Sequence, residues 1–124
     1  DADRFSDAFN RLDLPGVVST PVYFVPVSSK HKGATCGGVH LHVTDGKALR
    51  PVELGYRLLE LARDLFPKTF RILPPYTEGG KPFVSLLAGN RELETSGWRA
   101  DQVLGKQDSD CETFRKKAEP YRLY

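Results

Sequence analysis

Apolar residues recur every three to four positions at the start of the chain, where Ala2, Phe5, Ala8, Phe9 and Leu12 precede Pro15. That spacing predicts a short amphipathic helix from about Ala2 to Leu12. Beyond Pro15-Gly16 the pattern changes. Val17 to Val27 is rich in Val, Tyr and Phe and is interrupted by Pro21 and Pro26, which predicts a strand that is edge-like or bulged at the prolines, because proline offers no ladder donor. Ser28 to Thr35 is polar and reads as a loop. From Gly37 the alternation is strict, with Val39, Leu41 and Val43 on one face and His40, His42 and Thr44 on the other, the period of a half-buried strand.

Asp45-Gly46 predicts a turn, and Pro51 is placed to begin a helix in which Leu54, Leu58, Leu61, Ala62 and Leu65 form one apolar stripe before Pro67. Thr69 to Leu73 fits a short strand that Pro74-Pro75 must end. Tyr76 to Lys81 reads as an exposed loop; Pro82 then starts a short helix with Phe83, Leu86 and Leu87 that stops at Gly89. A last helix runs through Cys111, Phe114 and Ala118 to Pro120, ahead of an aromatic tail, Tyr121 to Tyr124. Helix, strand, strand, helix, strand and helices is too irregular an order for a doubly wound sheet. The predicted class is α+β: a small mixed or antiparallel sheet with helices packed on it, in a single domain.

At 124 residues with 40% hydrophobic composition, the chain has material for one core. A formal charge of +2 from 18 basic and 16 acidic residues gives no field that selects nucleic acid or an anionic membrane. No apolar run is long enough to span a bilayer and no signal peptide opens the chain, so the polypeptide reads as soluble. It begins at Asp1 and contains no methionine, which suggests a piece of a longer product with a partner upstream. Arg115, Lys116 and Lys117 fall late in the predicted last helix, where cations favour the helix dipole. Cys36 and Cys111 are too few for a disulfide scaffold, and their pairing is left open.

Ser29 to Asp45 holds all three histidines, one of the cysteines and the Gly37-Gly38 pair. Strand alternation puts His40 and His42 on one face about 7 Å apart, near enough to converge on one polar ligand. His31 or Cys36 could complete a zinc-like set, but the spacing is not a standard one, and the expectation is polar cleft residues with no metal or cofactor. Cys36 as a nucleophile would need a base such as His31 or His40 beside it; a small buried cysteine is the default. Gly37-Gly38 suits either a close ligand approach or a bulge. Glu78-Gly79-Gly80 lacks the spacing of a phosphate loop. Glu53, Glu60 and Asp64 lie on a solvated helix face, which leaves Asp45 and Glu78 as the carboxylates near a possible cleft.

The run Pro21-Val22-Tyr23-Phe24-Val25-Pro26, the motif from Ser29-Lys30-His31 through Cys36-Gly37-Gly38-Val39 to Leu41-His42-Val43-Thr44-Asp45, and Arg50-Pro51-Val52 resemble the carboxy-terminal region of the bacterial exo-β-N-acetylmuramidases. The likeness continues through Leu86-Leu87-Ala88-Gly89 and Pro120 to Tyr124, nearly the whole chain. The resemblance implies a two-domain parent, periplasmic or extracellular, with a Rossmann-like amino-terminal catalytic domain that removes terminal N-acetylmuramic acid from peptidoglycan fragments. This chain would be its accessory half and inactive alone, with the catalytic acid in the other domain. Its partners would be that catalytic domain and a muropeptide or amino-sugar ligand. The same resemblance implies that Tyr23, Ser29, His31, Cys36 and His42 face the interdomain cleft, with His40 in a more variable polar place. Substrate-binding candidates are therefore Tyr23, Ser29, His31, His40, His42 and Asp45, His42 foremost. The family pattern has Phe-Asp where this chain has Val84-Ser85. Two other readings are an independent carbohydrate- or peptidoglycan-binding module and a small His/Cys metal-dependent enzyme.

Overall fold

The computed structural model describes residues 1 to 122, so the last two residues of the predicted aromatic tail, Leu123 and Tyr124, lie outside the described residues. The class is α+β, as predicted, with one two-stranded antiparallel sheet. Contacts cluster into two compact units, Asp1–Phe70 and the chain from Arg71 onward.

The first unit holds α1 (Ala2–Asn10), β1 (Val17–Phe24), β2 (Cys36–Val43) and α2 (Pro51–Leu65). Asp1 caps α1 by accepting a hydrogen bond from the Arg4 amide at 2.9 Å, satisfying a donor that the first turn leaves without a partner. Ala2, Ser6 and Phe9 form the buried stripe of α1, and Phe9 is 1% exposed.

β1 and β2 pair with Val17 opposite Val43 and Phe24 opposite Cys36. Just beyond the ladder, the Thr44 amide donates to the Gly16 carbonyl at 2.9 Å. Bonded pairs alternate with non-bonded ones in an antiparallel ladder, so even-numbered β1 residues bond to β2 while Ser19 and Pro21 turn their backbone groups outward. Pro21 therefore removes no ladder bond, which is why a proline is tolerated in mid-strand. The outward groups of Ser19 are taken up by Asn10. Its Oδ1 accepts from the Ser19 amide at 2.8 Å, and its Nδ2 donates to the Ser19 carbonyl at 2.9 Å. A helix side chain thus takes the place of a neighbouring strand. The buried Ser6 and Ser19 hydroxyls meet at 2.9 Å beside it. Asn10→Ala is expected to cost about 1–2 kcal/mol, because it leaves part-buried backbone groups unpaired; urea denaturation showing under about 0.5 kcal/mol would refute this role.

Pro51 occupies the first turn of α2 as predicted. The residue that α2 buries is Tyr56, at 6% exposure, whereas Leu54, Leu58, Leu61, Ala62 and Leu65 are half-buried. Arg57 lies 3.6 Å from both Glu53 and Glu60, and Arg63 lies 2.7 Å from Asp64, so the acidic face is a ladder of ion pairs. The predicted strand Thr69 to Leu73 does not form. Instead the Thr69 and Phe70 amides both bond the Phe66 carbonyl, at 3.0 and 2.8 Å, which turns the chain at the end of α2 before a strand can begin.

The second unit holds α3 (Phe83–Ala88), a 3-10 turn (Glu92–Glu94), α4 (Ala100–Ala118) and a further 3-10 turn (Glu119–Tyr121). Pro82 caps the start of α3 and Gly89, at φ 70°, ends it in the left-handed region, as the proline–glycine bracket predicts. Ser85 is buried and donates to Glu94 at 2.7 Å, and Arg91 grips the same carboxylate with Nε at 3.0 Å and Nη2 at 2.7 Å. Arg91 first, then the Ser85 hydroxyl, hold the Glu94 carboxyl below its ordinary range. Lys106 of α4 pairs with Glu92. α4 starts well before its predicted core. It buries Ala100 and Val103, while Cys111 and Phe114 stay exposed and Arg115, Lys116 and Lys117 form its last turn.

Candidate functional site

Cross-strand partners share a face of the sheet, and here the two faces differ. Val17, Ser19 and Tyr23 lie on the side that carries α1; Val18, Thr20, Val22 and Phe24 lie on the other, opposite His42, His40, Gly38 and Cys36. His40 and His42 are both exposed on that outer face, and their rings stack with centroids 4.5 Å apart at 29°. Thr20 lies opposite His40 but reaches diagonally to His42, its Oγ1 sitting 2.9 Å from Nε2. The threonine and the stacked His40 ring together restrain the His42 ring. The predicted alternation is therefore observed, and the two histidines come together as expected.

Neither β1 nor β2 contains an Asp or Glu. This face offers hydrogen bonds and ring surfaces but no carboxylate pair, so it can bind a polar ligand and cannot supply both groups that glycoside cleavage requires.

The other candidates lie elsewhere. Tyr23 is on the α1 side, where its hydroxyl donates to Asp3 at 2.5 Å. That hydrogen bond, reinforced by burial and the carboxylate's charge, raises the phenol above its ordinary value, so Tyr23 is a neutral group tied to the helix. Ser29 and His31 occupy the loop between the strands with left-handed backbones, φ 63° and 60°. The loop is pinned where the Gly33 amide donates to the Pro26 carbonyl and the Ala34 amide to the His31 carbonyl, both at 2.9 Å. Asp45 lies beyond the far end of β2, where its Oδ1 accepts from the Lys47 and Ala48 amides at 2.8 and 3.3 Å and its carboxylate shapes a turn. Eight strand residues at about 3.3 Å each put some 25 Å between the Ser29–His31 loop and Asp45, too far for one sugar ring to touch both.

The Cys36 thiol donates to the Ala34 carbonyl at 3.6 Å. Among the described residues no three His, Cys, Asp or Glu side chains converge to hold a metal ion. His31, Cys36, His40 and His42 are thus spread along the hairpin. The glycine pair divides in function. A Cβ on Gly37 would lie 3.2 Å from the Tyr23 ring, whereas one on Gly38 would meet nothing within 4 Å. Gly37 makes room for Tyr23, and Gly38 leaves bare backbone beside His40 on the outer face. Thr20, Asp3 and Asn10 were not legible as site or supporting residues: Thr20 acts across a strand register that the connection from β1 to β2 does not specify, and Asp3 and Asn10 act through the packing of α1 on β1.

A family model described as the C-terminal domain of the exo-beta-N-acetylmuramidase NamZ matches residues 1–124. The peptidoglycan beta-N-acetylmuramidase NamZ of Bacillus subtilis (strain 168) is 30% identical over 124 residues, a stretch that is 98% of this chain and 28% of that relative. The crystal structure of a DUF1343 family protein from Bacteroides fragilis NCTC 9343 has a similar fold, with a TM-score of 0.74 at 23% identity over 100% of this chain and 33% of its own. The chain thus spans about a third or less of the length of these two proteins.

Proposed function

The chain belongs to the family of C-terminal domains of the exo-beta-N-acetylmuramidase NamZ, and from that premise we propose that it is the accessory domain lining the substrate cleft of an exo-acting β-N-acetylmuramidase-like hydrolase of peptidoglycan fragments. Its role would be in the recycling of cell-wall material, with an amino-terminal catalytic domain of the same polypeptide as partner. The observation that carries this reading, beside the family match, is the outer hairpin face. There Thr20, His40 and His42 are held together on a rigid ladder with no carboxylate among them, a set suited to holding a sugar for chemistry supplied from elsewhere. The left-handed Ser29 and His31 add support: each such non-glycine residue costs about 1–3 kcal/mol, and such strain clusters where function requires a fixed shape.

The test is hydrolysis of a chromogenic N-acetylmuramic acid glycoside by this chain alone and by the full-length gene product. The chain alone is expected to be inactive and the full-length product active. Absence of hydrolysis by the full-length product would overturn the proposal. Binding of muropeptides by the chain alone at the affinity of the full-length product would favour an independent binding module instead.

A further inference from the structure

One apolar surface is used neither by the hairpin face nor by the core. The residue that α3 buries is Ser85, and the Ser85–Glu94–Arg91 hydrogen bonds fix which way the helix faces. Phe83, Leu86 and Leu87 consequently turn outward, at 52%, 58% and 74% exposure. Tyr76, 81% exposed, packs edge-on against Phe83 with ring centroids 6.3 Å apart. Four large apolar or aromatic side chains thus stand exposed in one short stretch, whose only charged residues before Ser85 are Glu78 and Lys81 of the loop that precedes α3. A contiguous patch of this kind marks an interface more often than a free surface. It is also rigid, because the helix beneath it is bracketed by Pro82 and Gly89 and tied by Glu94, so docking would order little that is not already ordered.

We propose that Tyr76, Phe83, Leu86 and Leu87 are the surface through which this domain docks onto the amino-terminal catalytic domain. The inference rests on the two-domain reading above. Relatives of which this chain spans 28% and 33% carry most of their length outside the matched region, and that remainder is the occupant this patch is proposed to meet. The partner surface is apolar where it meets these four side chains. A second copy of the domain is the competing occupant.

Tyr76 and Tyr121 give an internal comparison, because they are 81% and 83% exposed in the domain by itself. In the full-length gene product treated with tetranitromethane, Tyr76 is expected to be nitrated about tenfold or more slowly than Tyr121, as followed by peptide mass spectrometry. Leu86→Asp combined with Leu87→Asp, both at exposed positions, should bring Tyr76 to the rate of Tyr121 and speed proteolytic cleavage between the domains about tenfold. Val52→Asp, which places a single new carboxylate at a 61% exposed site on α2, should leave Tyr76 protected. Equal nitration rates in the unmodified protein would overturn the proposal, as would protection that survives the double substitution. Protection that rises with protein concentration would overturn it in favour of a second copy. Protected Tyr76 without muramide hydrolysis keeps the docking surface and removes the substrate reading; hydrolysis with a fully reactive Tyr76 does the reverse.

Discussion

Gly16→Ala is expected to destabilise the domain by about 2–5 kcal/mol, the largest effect of any single methyl group in the hairpin unit. Gly16 has φ 76°, and a Cβ there would lie 2.2 Å from the Asp45 carbonyl oxygen and 3.0 Å from the Leu49 amide nitrogen. The left-handed backbone alone costs a non-glycine residue about 1–2 kcal/mol. The clash adds the rest, since both atoms it meets are main chain and cannot rotate away. Displacing them also breaks a small web: the Gly16 carbonyl accepts from Thr44 and Asp45 at 2.9 and 3.3 Å, and the Asp45 carbonyl accepts from Leu49 at 3.1 Å. That web joins the start of β1 to the chain leading into α2. For a domain of this size the loss corresponds to a fall in Tm of roughly 10 °C or more, read by calorimetry. Gly33→Ala is the control. Gly33 has φ 77° but open space around it, so only the backbone cost of about 1–2 kcal/mol applies. Equal effects at the two positions would show that the predicted clash relaxes.

His42→Ala in the full-length gene product should reduce kcat/KM on a muramic acid glycoside roughly 10- to 100-fold, the equivalent of about 1.4–2.8 kcal/mol for a lost ligand hydrogen bond from a pre-oriented ring. The loss should fall mainly on KM, because the face contributes binding and no carboxylate. Stability should change by less than about 0.5 kcal/mol, since the ring is exposed and the Thr20 hydroxyl it leaves behind can turn to water. Thr20→Val tests the orientation separately. It removes the 2.9 Å contact to Nε2 while keeping the β-branched shape, and should cost several-fold in the same parameter with the imidazole still in place. Wild-type kinetics in His42→Ala would remove the outer face from the substrate site.

Much of the fold was legible in the chain because each signal was local. The alternation from Val39 to Val43, Pro51 at the start of α2, and the Pro82–Gly89 bracket around α3 each state a backbone requirement within a few residues. What could not be read depended on contacts between distant residues. Thr69 to Leu73 has the composition of a strand, yet the Phe66 carbonyl takes the Thr69 and Phe70 amides first. Ser6 and Ser19 are buried as a pair, each supplying what the other needs, so neither residue alone reads as core. Tyr56 falls outside the leucine stripe of α2 but is its most buried side chain. The site divides in the same way. Alternation alone places His40 beside His42, while Thr20 reaches His42 only through the register, and Tyr23, on the opposite side of the sheet, is committed to Asp3.

Asn10 stands in for a strand at Ser19, and that substitution bears on solubility. An exposed strand edge is a template for association with other chains, which proteins commonly block with proline, charge or a cover. β1 has two of these guards, Pro21 and the Asn10 amide. β2, Cys36–Val43, contains neither proline nor a Lys, Arg, Asp or Glu, and among the described residues no hydrogen bond from a loop or side chain reaches its backbone. The hairpin is therefore guarded against edge-to-edge aggregation on one side only. If the domain self-associates when prepared by itself at high concentration, the β2 edge is where the growing sheet would start.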